Sequence, residues 1–152
     1  MDRTDRAIID LLQQDARIPN TVLADRVNLT PGPCLRRVQR LEADGIIVGY
    51  RAQIDPVAIG QGFEVILDIE LTRFDKASVE HFETTMAGFD EVIELYRMFG
   101  SPDYYARIAV ADLPTYEIFL TDHVLTIPDI HRVSSRFPMK TVKTLRPRPR
   151  PR

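Results

Sequence analysis

With a single cysteine in 152 residues, the chain cannot form an internal disulfide, and a thiol left free fits a reducing cytoplasm. No apolar run approaches the roughly 18 residues that a membrane-crossing helix needs. The opening MDRTDRAIIDLLQQD has neither a short apolar core nor a cleavage site, so no secretory signal is expected. His81, His123 and His131 are scattered without ligand spacing and without a cysteine partner, so no metal site is expected. Asp103 beside Tyr104 has acid–base chemistry in principle. However, no nucleophile–base pair, phosphate loop or paired-carboxylate motif accompanies them, so neither an enzyme nor a cofactor is expected.

A large excess of basic charge is missing too, since 20 Lys and Arg face 22 Asp and Glu for a net of −2. The charge is distributed unevenly. Residues 1–50 hold 7 basic and 7 acidic side chains, residues 51–142 hold 8 and 15, and residues 143–152 hold 5 and none. A positive face in the first third is therefore local, and the acidic body behind it argues against indiscriminate wrapping by nucleic acid. The closing RPRPRPR excludes helix and interior strand. It reads as a disordered or polyproline II tail over residues 144–152.

What is present begins with three helical patterns in about 45 residues. Ile8, Ile9, Leu11 and Leu12 form one stripe. After Ile18-Pro19, Asn20 or Thr21 caps a second helix carrying Leu23, Ala24 and Val27, and Asn28 closes it. The third opens with Thr30 as cap and Pro31 in the first position, and Gly45 stops it. Cys34, Leu35, Val38 and Leu41 are placed inward, and Arg36, Arg37 and Arg40 outward. Such a helix, delivered by a tight turn from another, suits a DNA major groove. Thr30, Gly32 and Pro33 stand at its N-terminus, where N–H groups and the helix dipole attract phosphate. Residues 46–54, around Gly49, read as a β-hairpin wing that presents Arg51 to backbone phosphate. Cys34 reads as a buried thiol rather than a redox sensor.

Beyond a connector over 55–62 the period changes to two. Phe63, Val65, Leu67, Ile69 and Leu71 alternate with a mostly polar set that includes Glu64, Asp68 and Glu70. Those acids read as a polar sheet or oligomer surface. Strand, helix from Asp75 to Ala87, strands at Val92–Phe99 and Tyr104–Val110, helix, and strand at Ile130–Val142 make βαββαβ, the ferredoxin-like order. The expected class is α+β, a winged helix-turn-helix (1–54) followed by a ferredoxin-like effector and oligomerisation domain (63–143). Helices cover one sheet face, and a second copy of the sheet is the simplest cover for the other.

The segment DRTDRAIIDLLQQDARIPNTVLADRVNLTPGPCLRRVQRLEADGIIVGYRAQID resembles the N-terminal signature of the Lrp/AsnC, or feast/famine, transcriptional regulators. LYRMFGSPDYYARIAVADLPTYEIFL and LTIPDIHRVSSRFPM resemble the family's C-terminal half. The resemblance implies a DNA-binding regulator that dimerises through its sheets, assembles further to octamers, and holds a small effector, commonly an amino acid, between C-terminal domains. Gly32 stands where many members carry a small hydroxyl residue, and the Arg-Pro tail is not a family feature. The turn Gly100, Ser101, Asp103 and Tyr104 offers N–H groups for a carboxylate and an acceptor for an ammonium. The resemblance places Ser134, Ser135 and Arg136 near it, with Arg136 able to select an acidic effector. The alternatives are a metabolite-binding or enzymatic ferredoxin-like protein, and a mainly architectural DNA-coating protein.

Overall fold

The computed structural model describes residues 1–142; the Arg-Pro tail lies outside them. The chain divides into two compact units, with the boundary between Gln53 and Ile54.

The first unit is three helices, α1 (Arg3–Gln14), α2 (Asn20–Arg26) and α3 (Pro31–Ala43). The α1 stripe buries Ile8 against Leu23 and Ala24 of α2 and Cys34 and Leu41 of α3. At the N-terminus of α1 a capping box forms, in which Asp2 accepts from the Asp5 N–H and Asp5 from the Asp2 N–H, at 2.8 and 3.0 Å. Asn20 does not cap α2. It lies inside the helix behind Pro19, and its amide instead donates to the Pro31 carbonyl at 2.9 Å, fastening α2 to the start of α3. Asn28, at φ +55°, and Gly45, at φ +67°, close α2 and α3. Each is followed by a six-to-one bond, Leu29 N–H to Ala24 and Ile46 N–H to Leu41, both at 2.9 Å.

Leu35 departs from its expected inward position and is 45% exposed. It projects about 100° around the helix from Cys34, and α2 and α1 cover the other side. The expected wing is also absent. Residues 46–55 form no strand. Ile46, Val48, Tyr50 and Ile54 remain exposed, Val48 at 93%. Only Ile47 of this segment packs on the three-helix core, and a two-stranded ribbon with so little apolar surface buried lacks independent stability.

The second unit begins with a single 3-10 turn, Val57–Ile59, inside the expected connector. Then come β1 (Phe63–Leu71), α4 (Lys76–Ala87), β2 (Val92–Arg97), β3 (Tyr104–Val110), α5 (Leu113–Phe119) running into a π-turn at Leu120–Val124, and β4 (Ile130–Arg136). The sheet order is β2-β3-β1-β4, all antiparallel. Val65, Leu67 and Ile69 of β1 and Tyr104, Ala106, Ile108 and Val110 of β3 bury one face against Phe82 and Met86 of α4 and Tyr116 and Phe119 of α5. Asp75 caps α4 through the Ala77 and Ser78 N–H groups, both at 3.1 Å. The last strand ends at Arg136, six residues before the expected Val142, because Pro138 lacks the N–H to continue the ladder.

Candidate DNA interface and effector site

On α3 the buried residues Cys34 and Leu41 define the inner face. One turn of 100° per residue puts Gly32, Arg36, Gln39 and Ala43 on the opposite stripe, and all four are exposed. A Cβ built on Gly32 would meet only Arg36 Nη1, at 3.9 Å, so the Arg36 guanidinium lies back over an open first turn.

The other two arginines are engaged within the protein. Arg37 Nη1 reaches Asp2 Oδ2 at 2.6 Å and Asp5 Oδ1 at 2.8 Å, and Arg40 Nη2 reaches Asp5 Oδ2 at 2.7 Å. Asp5 is 1% exposed. Thus the two acids of the α1 capping box also hold α3. The expected outward triplet is therefore two clamped arginines and one, Arg36, that has no ion pair among the described residues. Neither Asp2 nor Asp5 was singled out in the sequence. The Asp-x-x-Asp spacing at a helix start is the signal that would have found them.

This clamp fixes acid behaviour. The Asp5 N–H bond first, then Arg37, lower the Asp2 carboxyl from 3.8 to about 2. Asp5 is lowered as well, by the Asp2 N–H bond and then by Arg37 against the cost of burial. A depressed carboxyl stabilises the fold above its unfolded pKa, and loses that contribution as pH falls through the folded value. Urea midpoints of wild type and Asp2→Asn are expected to differ by a constant amount above about pH 5 and to converge toward pH 2. A pH-independent gap would show that Asp2 titrates normally.

Thr30 occupies the N-cap position of α3, yet its hydroxyl caps nothing. Pro31 and Pro33 have no N–H, and the Cys34 N–H is bonded to the Thr30 carbonyl at 3.2 Å, which leaves Gly32 as the one donor of the first turn. A phosphate there meets one N–H rather than a cradle. Arg51 is exposed on the strandless segment after Tyr50; Tyr50 itself donates to Glu42 at 2.8 Å. Burial, then Glu42, push the Tyr50 phenol up to about 12. Cys34 is fully buried, and burial raises its thiol pKa, so it is a poor nucleophile.

In the second unit the seven effector candidates separate. Gly100 (φ +107°), Ser101 and Asp103 form the β2–β3 turn. Asp103 Oδ2 accepts the Leu71 N–H at 2.8 Å and Ser101 donates to Glu70 at 3.1 Å, which ties the turn to the end of β1. Tyr104 points the other way. It is fully buried, its ring packed at a tilt against Phe82 with centroids 4.5 Å apart, and it donates to Glu83 at 3.0 Å. Ser134 and Ser135 are neighbours on a strand and so face opposite sides. Ser135 turns to the helices and bonds the Tyr116 hydroxyl at 2.6 Å. Ser134, opposite Asp68, shares the helix-free face with Arg136, and Arg136 pairs with Asp68 at 2.8 Å. Tyr104 and Ser135 therefore cannot line a site on the helix-free face. Arg132 can: it is exposed and in register with Glu70 beside the turn.

The helix-free face is ionic. Arg107 bridges Glu64 at 2.7 Å and Glu94 at 2.6 Å, with Ile66, Tyr105 and Ala109 between the charges. The alternating acids Glu64, Asp68 and Glu70 do share this face, bonded to Arg107 of β3, Arg136 of β4 and Ser101 of the turn. The histidines are dispersed. His81 is in α4, His131 in β4 and His123 beside Phe89 and Phe119 at 5.4 and 5.8 Å. Among the described residues, no helix is long and apolar enough to cross a membrane.

Two family models match. Residues 1–48 match winged helix-turn-helix DNA-binding, and residues 64–147 match the Lrp/AsnC ligand binding domain. The first match ends at residue 48, inside the segment 46–54 in which the wing was expected. The chain is 37% identical to the DNA-binding transcriptional activator DecR of Escherichia coli over 143 residues, 94% of each protein. It is 36% identical to the leucine-responsive regulatory protein of Escherichia coli, over 94% of this chain and 87% of that one. A transcriptional regulator from Neisseria meningitidis in complex with L-Met superposes with a TM-score of 0.89 at 30% identity, covering 95% of this chain and 93% of that one. An AsnC family regulator from Agrobacterium tumefaciens gives 0.88 at 36% identity, covering 95% and 94%.

Proposed function

The chain belongs to the Lrp/AsnC family of transcriptional regulators, and from that premise we propose how it works. The first unit, residues 1–53, binds double-stranded DNA through α3. The second binds a small effector, an amino acid, and joins copies of the chain through the helix-free sheet face into dimers and then octamers. It works in the cytoplasm, where its DNA is, as a regulator rather than an enzyme. The observation that carries the DNA half is the exposed α3 stripe with Arg36, which has no ion pair among the described residues. Arg37 and Arg40 contribute positive potential beside it, while Thr30, Gly32, Pro33 and Arg51 lie where backbone phosphates pass. Two such helices on a dimer fit a pseudopalindromic site with half-sites one helical turn, or a multiple, apart.

For the effector, Gly100, Ser101 and Asp103, joined by Ser134 and Arg136, supply what an α-amino acid needs. Acceptors for the ammonium are Asp103 and its neighbour Glu70. Arg132 and Arg136 are cations for the carboxylate. Methionine is the ligand of the Neisseria protein; here it supports the amino acid class and no particular member.

The test is a gel shift on DNA upstream of the chain's own gene, over a salt series, with and without each of the common L-amino acids. A thermal-shift screen of the same amino acids runs beside it. Binding that weakens with salt is expected, and one class of amino acid should change the apparent affinity by about 5- to 150-fold. That ligand should also raise Tm in wild type and less in Arg136→Ala. No binding to DNA would remove the first half of the proposal. No amino acid altering either Tm or DNA affinity would remove the second.

A further inference from the structure

We propose that Leu35, Arg36 and Gln39 are the base-reading residues of this chain, and that Arg37 and Arg40 do not read bases. The proposal rests on the DNA-binding reading above and goes beyond it by assigning specificity. A residue that reads a base edge must be exposed, lie on the face turned away from the domain and keep its polar atoms uncommitted. Arg36 and Gln39 meet all three conditions. They sit on the stripe opposite Cys34 and Leu41 and are exposed. Their side chains make no hydrogen bond or ion pair within the described residues, whereas the two arginines beside them make three. Leu35, on the flank of the same stripe, leaves a large apolar side chain 45% exposed on the side that α1 and α2 do not cover.

The chemistry differs at each position. The Arg36 fork matches guanine O6 and N7. The Gln39 amide matches adenine N6 and N7. Leu35 offers apolar contact to a thymine methyl. From Gly32 to Gln39 the helix rises about 10 Å, close to three base-pair steps of roughly 3.4 Å, so each half-site is read over about that length. A Cβ at position 32 would touch only the Arg36 guanidinium, in ordinary contact at 3.9 Å, so the first turn beside Arg36 is open on the outer face. Arg37 and Arg40 can turn to bases only by giving up bonds to Asp5, whose buried carboxylate they share.

The experiment is selection from a randomised double-stranded DNA pool with the full chain, repeated with Leu35→Ala, Arg36→Ala, Gln39→Ala and Arg40→Ala. Arg36→Ala should lose preference at one guanine, and Gln39→Ala at one adenine, each roughly tenfold or more. Leu35→Ala should stop distinguishing thymine from uracil at one position. Arg40→Ala should keep every base preference and lower the salt slope by about one. Wild type on the selected site with 7-deazaguanine or uracil substitutions gives the same information without any variant, and affinity should drop at those positions. Unchanged preferences in the three variants, a base preference altered by Arg40→Ala, or analogue sites bound as tightly as the parent would each overturn the assignment while leaving DNA binding intact. A pool that yields no enriched sequence would overturn it together with the DNA-binding reading.

Discussion

Replacing Asp5 by alanine is expected to destabilise the three-helix unit by about 3 kcal/mol, although Asp5 faces neither DNA nor ligand. Its carboxylate is 1% exposed and accepts from the Asp2 N–H, Arg37 and Arg40. Alanine leaves all three donors without this acceptor and breaks one side of the α1 capping box. Removing one partner of a buried charge pair costs about 3–5 kcal/mol. The lower end applies because the Arg37 and Arg40 side chains keep 30% and 52% of their exposure and are partly hydrated. Asp5→Asn retains the volume and one acceptor, and should cost about 1 kcal/mol. Amide exchange in α1 and α3 reads the effect directly. Arg37→Ala in the Asp5→Ala background should add far less than it does alone, since the two share one interaction. DNA affinity should fall with stability, because α3 is then held to α1 by packing and the Arg37–Asp2 pair alone. Exchange rates unchanged in Asp5→Ala would mean that the clamp contributes nothing.

That clamp also shows where a sequence stops being readable. The position of α3 was legible, because Pro31 at its start, Gly45 after its end and the buried period of Cys34, Val38 and Leu41 are local signals. Which arginines are clamped was not legible. It depends on Asp2 and Asp5, some 35 residues earlier, and helical spacing in α3 carries no trace of them. The Thr30 cap failed for a local reason that was on the page. Proline at the third helical position removes one of the two N–H groups an N-cap side chain can accept from. β1, β3 and α4 were read almost to the residue, since period two over Phe63–Leu71 and Asp75 ahead of α4 are strong, independent signals, whereas β2 and β4 end two and six residues earlier than expected.

The same period two exposes what was missed at the effector set. Adjacent residues on a strand cannot share a face, so Ser134 and Ser135 were never both available to one site. The Tyr104 hydroxyl was unavailable for another reason. Register alone puts Tyr104 opposite Ile69, and only the packing of Phe82 and Glu83 from α4 shows its ring and hydroxyl already engaged. Glu70 was read only as sheet surface and Arg132 went unnamed, because their proximity to the turn follows from the β1–β4 register, which a single strand does not encode.

Arg107→Glu is expected to break the dimer proposed above. Arg107 stands on the central strand β3 with its guanidinium between Glu64 of β1 and Glu94 of β2. It is the cation that lets two acids lie near the middle of the helix-free face, beside Ile66, Tyr105 and Ala109. When that face meets a copy of itself, each charge approaches its own kind across the two-fold axis unless opposite charges are already paired within each sheet. Reversing Arg107 puts three adjacent carboxylates on each face, and like charges facing across an interface cost several kcal/mol. Dimer affinity should fall about a hundredfold or more. Sedimentation at micromolar protein should show monomer, and added salt should recover part of the dimer by screening. Arg107→Lys, which keeps the charge but not the two-pronged geometry, should fall between. Because the dimer sets the distance between two α3 helices, Arg107→Glu should also bind a single half-site as well as the full palindrome. An unchanged dimer would show that copies of the chain join elsewhere, and that the ion pairs of Arg107 serve only the sheet that carries them.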